Sequence, residues 1–189
     1  SEEIRDIVKS EEYQRLFPYV QIKRGTDSKK KWNTTAGGGV YAVSTGGQIT
    51  GFGAGEVDDI DDKEIGAEID SISKEARFAG AIVIDDPIKP EDALSDVKRE
   101  KINQRFETTI RNRVNSRNTP IIIIMQRLHE NDLCGYLMKT EPGEWTVLSL
   151  PAIENEADGK EVPLWDFKHT LDELHHLNKI DPFTFETQY

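Results

Sequence analysis

Apolar and polar positions divide the chain into a stretch of small, turn-rich elements and a stretch of longer alternating ones. Ile4, Ile7, Val8, Tyr13 and Leu16 follow helical spacing and predict a short amphipathic helix stopped by Pro18. A strand is expected over 19–23. Residues 29–35 and 40–44 read as a strand pair around Ala36-Gly37-Gly38-Gly39, and Gly46-Gly47 supplies the next turn. Residues 49–54 run into Gly51-Phe52-Gly53-Ala54-Gly55, where small residues let the backbone lie close to a neighbouring strand or a ligand.

Beyond residue 78 the pattern changes to unbroken apolar runs separated by helical periodicity. Strands are expected over 79–85, over 119–125 with its four consecutive isoleucines, and over 145–150. Between them, a long helix is expected over 92–115, with Ile102, Phe106, Ile110 and Val114 four apart, and a short one over 132–139. This β-α-β-α-β order predicts parallel strands with right-handed crossovers, and continuous apolar runs fit strands covered on both faces. Residues 151–168 read as a connection, 171–179 as a small helix, and Pro182 begins a further element.

The 189 residues suffice for one domain with a sizeable core, or for a domain with an appendage. No apolar run approaches the roughly 18 residues of a membrane span, and Ser1-Glu2-Glu3-Ile4-Arg5 does not read as a signal peptide. The single Cys134 precludes an internal disulfide and reads as a packed small residue. A net charge of −11 argues against a surface that coats nucleic acid throughout, but not against a local basic face. Much of the acid lies between Glu56 and Glu75. This block reads as a solvated insertion with a helix over 65–76; aligned as a calcium loop on Gly66, it puts Lys63 and Ile65 at ligand positions.

Candidate chemistry concentrates at two strand ends. Ala81-Ile82-Val83-Ile84 stops on Asp85-Asp86-Pro87, and the carboxyl ends of strands are where open α/β sheets bind ligands. Such a pair serves nucleotide hydrolysis, with one carboxylate for Mg²⁺ and its neighbour for the attacking water; equally, Asp86-Pro87 turns the chain and caps the next element. The second strand ends in Gln126-Arg127-Leu128-His129-Glu130-Asn131-Asp132. There Gln126 can contact a γ-phosphate or water, Arg127 can balance phosphate charge or pair with Asp85 or Asp86, and Asn131 or Asp132 can cap the next helix. Lys98, Arg99, Lys101, Arg105, Arg111, Arg113 and Arg117 line the long helix and its exit, either as its solvated face or as contacts to DNA or a neighbouring active site. His169, His175 and His176 lack metal-ligand spacing.

These residues resemble the large subunit of tailed-phage terminases, the ATPase motor that packages DNA. Residues 81–87 look like its Walker B element, and 121–133 look like its coupling motif, with Arg127, His129, Glu130, Asp132 and Leu133 matching. Gln126 stands for the usual threonine and Leu128 for the usual tryptophan. The likeness extends to 13–18, to 32–55 and to 185–189, while the acidic block has no counterpart. It implies an α/β, P-loop-NTPase-like core with a largely parallel sheet flanked by helices. It also implies ATP and Mg²⁺ as cofactors, Asp85 as the Mg²⁺ residue through water, and Asp86, Gln126 and Arg127 as catalytic residues. Arg113 and Arg105 are then candidates for DNA contact or action in trans. The implied partners are double-stranded DNA, a small terminase subunit, a portal protein and further copies of the chain, in the bacterial host's cytoplasm.

No Gly-x-x-x-x-Gly-Lys-Ser/Thr phosphate loop occurs. The resemblance therefore places 1–153 as a partial ATPase domain with an acidic insertion at about 56–78. Residues 154–189 become the start of a connection to a nuclease domain, with the chain truncated at both ends and poorly active alone. Two other readings stand beside it. One is a two-metal nuclease in which Glu130 or Asp132 joins the aspartate pair. The other is a non-enzymatic adaptor whose acidic insert binds a basic partner.

Overall fold

The computed structural model describes residues 1–47, 49, 51–55 and 80–189; the expected acidic insertion and its helix lie outside them. The chain is mixed α/β with two-stranded sheets, and it divides into two units, 1–82 with 113–120 and 83–112 with 121–189.

In the first unit the expected N-terminal helix is two helices, α1 (Glu2–Lys9) and α2 (Glu11–Leu16). Ser10 separates them because its extended backbone lets its hydroxyl accept the Tyr13 N–H at 3.2 Å and cap the second. The expected strand pair is present as the antiparallel hairpin β1 (Lys31–Asn33) and β2 (Gly39–Tyr41), with Trp32 opposite Val40. Trp32 is buried and donates its indole N–H to the Ser1 carbonyl. The strand expected over 19–23 shrinks to a single bridge between Ile22 and Thr34.

The glycine-rich run does approach a neighbour closely. Ala54 pairs in parallel with Val114, and a Cβ at Gly53 would lie 1.9 Å from the Asn115 side-chain oxygen. This contact also explains where the long helix ends. Ala54 donates to the Arg113 carbonyl and accepts from the Asn115 N–H, so the backbone there is committed to a bridge.

β3 (Ile82–Asp85), which belongs to the second unit from Val83 onward, pairs with β4 (Ile121–Ile124). Ile82 N–H donates to the Pro120 carbonyl and Asp86 N–H to the Ile124 carbonyl, a constant offset in the same direction that makes the pair parallel. Between them the single helix expected over 92–115 is broken. A one-turn α3 (Pro90–Ala93) precedes extended Ser95, then come α4 (Asp96–Arg105), a π turn over Phe106–Ile110 and a 3₁₀ turn over Arg111–Arg113. Apolar residues four apart drift around an α-helix of 3.6 residues per turn, and the wider π turn takes up that drift. Phe106 is fully buried, and Ile102 packs with Met125 on the core of Ile88, Ala93 and Leu128.

The expected helix α5 (Leu133–Thr140) follows, but no strand forms over 145–150. Trp145 instead tilts against Phe106, with centroids 6.0 Å apart, and donates to Glu141 at 2.8 Å. The expected alternation therefore reduces to one parallel pair among the described residues. The expected connection after residue 150 contains a hairpin, β5 (Ile153–Asn155) with β6 (Glu161–Pro163), turned at Asp158-Gly159. Helices α6 (Leu171–Ile180) and α7 (Pro182–Gln188) close the chain, the former with a capping box between Thr170 and Glu173.

Glu141 is held by Arg111, which also lies over the Phe106 ring at 5.1 Å. Burial pushes its carboxyl pKa up, but the Trp145 N–H and the Arg111 guanidinium together leave it below the usual value of 4.5. A depressed carboxylate pKa stabilises the fold above the unfolded-state value, and that contribution is lost as pH falls through the folded-state value. Glu141→Gln should therefore lower the urea midpoint at pH 7 and leave it nearly unchanged near pH 3. An equal shift at both pH values would refute the ionic contribution.

Candidate functional site

The acids at the end of β3 are displayed by the burial of residues on either side. Ile84 before them and Pro87 and Ile88 after them are buried, while Asp85 and Asp86 are exposed. Asp86 adopts φ 41°, the described non-glycine residue with left-handed backbone. Aspartate and asparagine tolerate this region better than other side chains, at a cost of about 1–2 kcal/mol. The turn thus sends the chain back into the core immediately after presenting two carboxylates, and Asp86 stays anchored through its N–H on Ile124. Neither carboxylate is engaged by another described side chain.

At the end of β4 the same logic applies. Met125 packs against the core and Leu128 belongs to it, so Gln126 and Arg127 protrude between two anchors, both exposed. The Asp86 N–H donates to the Ile124 carbonyl, so in the parallel register Asp86 stands level with Met125, and Gln126 and Arg127 follow directly beyond it. Arg127 pairs with Asp132 at 3.1 Å, however, and not with either of the two aspartates.

Asp132 organises this loop. It is 1% exposed; its carboxylate accepts the Gly135 N–H at 2.9 Å as the cap of α5, the His129 N–H at 3.3 Å and the Arg127 Nε–H. Its role as a helix cap follows from the residue type; its grip on Arg127 does not. Gly135 is required for the close fit, since a Cβ there would lie 1.9 Å from the Glu130 carbonyl oxygen. Asp132 thereby engages three protein donors. Glu130 is exposed and accepts from Asn131. Burial raises the pKa of neighbouring Cys134, with the Asp132 charge adding to the effect, so its thiol stays protonated.

The basic row does not behave as one solvated face. Arg99 is buried, donating to the Ala93 carbonyl and to Asp96, and Arg111 bridges Glu107 and Glu141. Arg105 and Arg113 are half-buried at the end of α4 and of the 3₁₀ turn. Lys98, Lys101 and Arg117 are exposed. Of the histidines, His175 pairs with Glu161 at 3.0 Å and His169 meets the Tyr189 ring edge-on. No described helix is long and apolar enough to cross a membrane. The chain matches no protein-family model, no curated protein and no solved structure.

Proposed function

We propose that this chain is the central part of the ATPase domain of a tailed-phage terminase large subunit, a motor that drives double-stranded DNA into a procapsid. The observation that carries this reading is the pair of adjacent parallel strand ends, one presenting Asp85 and Asp86 and the other Gln126 and Arg127. On this reading the parallel pair is the centre of a P-loop-NTPase-like sheet whose phosphate loop lies outside these residues.

The residues fit Mg²⁺–ATP in kind. Among the described residues no three acids, histidines or cysteines converge into a cage, and Mg²⁺ at phosphate sites takes one or two carboxylates together with water and phosphate oxygens. Bound there, Mg²⁺–ATP supplies the reacting γ-phosphoryl group and the charge that activates it. Asp85 would hold the hydrated ion, and Asp86, on its strained turn, would orient the attacking water and take its proton. Gln126 would meet the γ-phosphate from the neighbouring strand. Arg127, tied to Asp132 at the cap of α5, passes the state of that strand end to the helix. Arg105 and Arg113 remain the candidates for DNA or a neighbouring subunit's nucleotide.

The test is an NMR titration of the chain with Mg²⁺ and ATP, with the phosphate-loop segment supplied in trans. Amide shifts are expected at Asp85, Asp86 and Gln126. Their absence would favour the adaptor reading.

A further inference from the structure

The β1–β2 hairpin and the segment before it combine exposed charge and exposed aromatic surface in a way that the proposed ATP site does not use. From Tyr19 to Gly55 the chain carries Lys23, Arg24, Lys29, Lys30 and Lys31 against Asp27 alone, five positive charges less one negative, or +4 within a chain of −11. Trp32 to Gly55 contains no charged residue at all. Asp27 does not cancel this charge locally, because Arg5 and Lys9 both bind its carboxylate. Lys29 pairs with Glu2, whereas Lys23, Arg24 and Lys30 are exposed and form no ion pair with a described residue.

The hairpin register gives this charge an aromatic centre. Lys31 lies opposite Tyr41, on the face away from buried Trp32. Phe52 stacks on Tyr41 with centroids 4.1 Å apart and planes at 29°, and the Lys31 ammonium sits 4.4 Å from the Phe52 centroid. Tyr41 and Phe52 nevertheless keep 39% and 38% of their surface exposed. An open cleft of about 510 Å³ is lined by Lys31 with Gly25, Thr26, Ser28, Asn33 and the ion-paired Asp27.

We infer that this hairpin and the segment leading into it bind single-stranded nucleic acid, with phosphates on Lys23, Arg24 and Lys30 around the ribbon and an unpaired base against the Tyr41–Phe52 pair. Cations grip the backbone without reading sequence, and any base offers a π face to an aromatic platform. A duplex keeps its base faces stacked internally and can use only the cations. The inference stands on this unit alone and is independent of the Asp85–Asp86 site.

The test is fluorescence anisotropy of the full chain with a labelled oligothymidylate of roughly 16 nucleotides. It is compared with a duplex, an abasic oligomer of equal length and a polyglutamate peptide. The oligothymidylate should bind most tightly, with log affinity falling against log salt at a slope of about −2 for three neutralised phosphates. Tyr41→Leu and, separately, Phe52→Leu should each weaken binding at least about fivefold. Lys23→Gln with Lys30→Gln should flatten the salt slope by about 1.4. These lysines are exposed, so the double variant should keep its circular dichroism and melting temperature. Equal or tighter binding of the duplex, abasic oligomer or polyglutamate would overturn the inference. So would no binding, or full affinity in both folded aromatic variants.

Discussion

Asp85→Asn and Asp86→Asn, each made in a polypeptide that joins this chain to a phosphate-binding loop, are expected to lower ATP turnover on the order of 10²–10⁴-fold. Melting temperature should move by no more than a few degrees. Both side chains are exposed, so neither change opens a cavity. Asparagine is the right replacement at residue 86 because it tolerates the left-handed φ of 41°, where a β-branched residue would strain the turn. The two variants should also differ from each other. Asp85→Asn should raise the Mg²⁺ concentration needed for half-maximal rate, since it weakens the ion's seat. Asp86→Asn should lower kcat with little change in Mg²⁺ dependence, since it removes the group that takes the proton. Wild-type turnover in either variant would sink the assignment of this pair.

The features legible in the sequence are those that local chemistry decides. The hairpin of β1 and β2 follows from a three-glycine turn between two short runs, and α5 follows from an aspartate cap ahead of an apolar stretch. The acid pair is visible because an apolar run stops abruptly on it, and its exposure in the structure agrees with that break. The elements that differ depend on partners distant in sequence. The end of the 92–115 helix is set by Ala54, whose two backbone bonds capture residues 113 and 115. Residues 145–150 have the composition of a strand, yet Trp145 is drawn onto Phe106 and Glu141. The β5–β6 hairpin is hidden by polar strands containing Pro163, although Asp158-Gly159 marks its turn.

Asp132→Ala is expected to destabilise the fold by about 3 kcal/mol, read from urea midpoints at constant m-value. Loss of the α5 cap accounts for about 1 kcal/mol. The charged bonds to Arg127 and to the His129 N–H account for most of the remainder, at roughly 1.5 kcal/mol or more. The figure stays below that for a fully buried ion pair because the Arg127 side chain is 46% exposed and can return to water. Asp132→Asn separates these contributions, since an amide oxygen still caps Gly135 N–H but no longer carries charge. It should cost about 1–2 kcal/mol, and Arg127→Ala in that background should add almost nothing. In the wild-type background Arg127→Ala should cost more, and the difference measures the coupling between the β4 end and α5. Additive costs in this cycle would mean that Asp132 holds the helix alone, and the proposed relay from Gln126–Arg127 into α5 would lose its physical link.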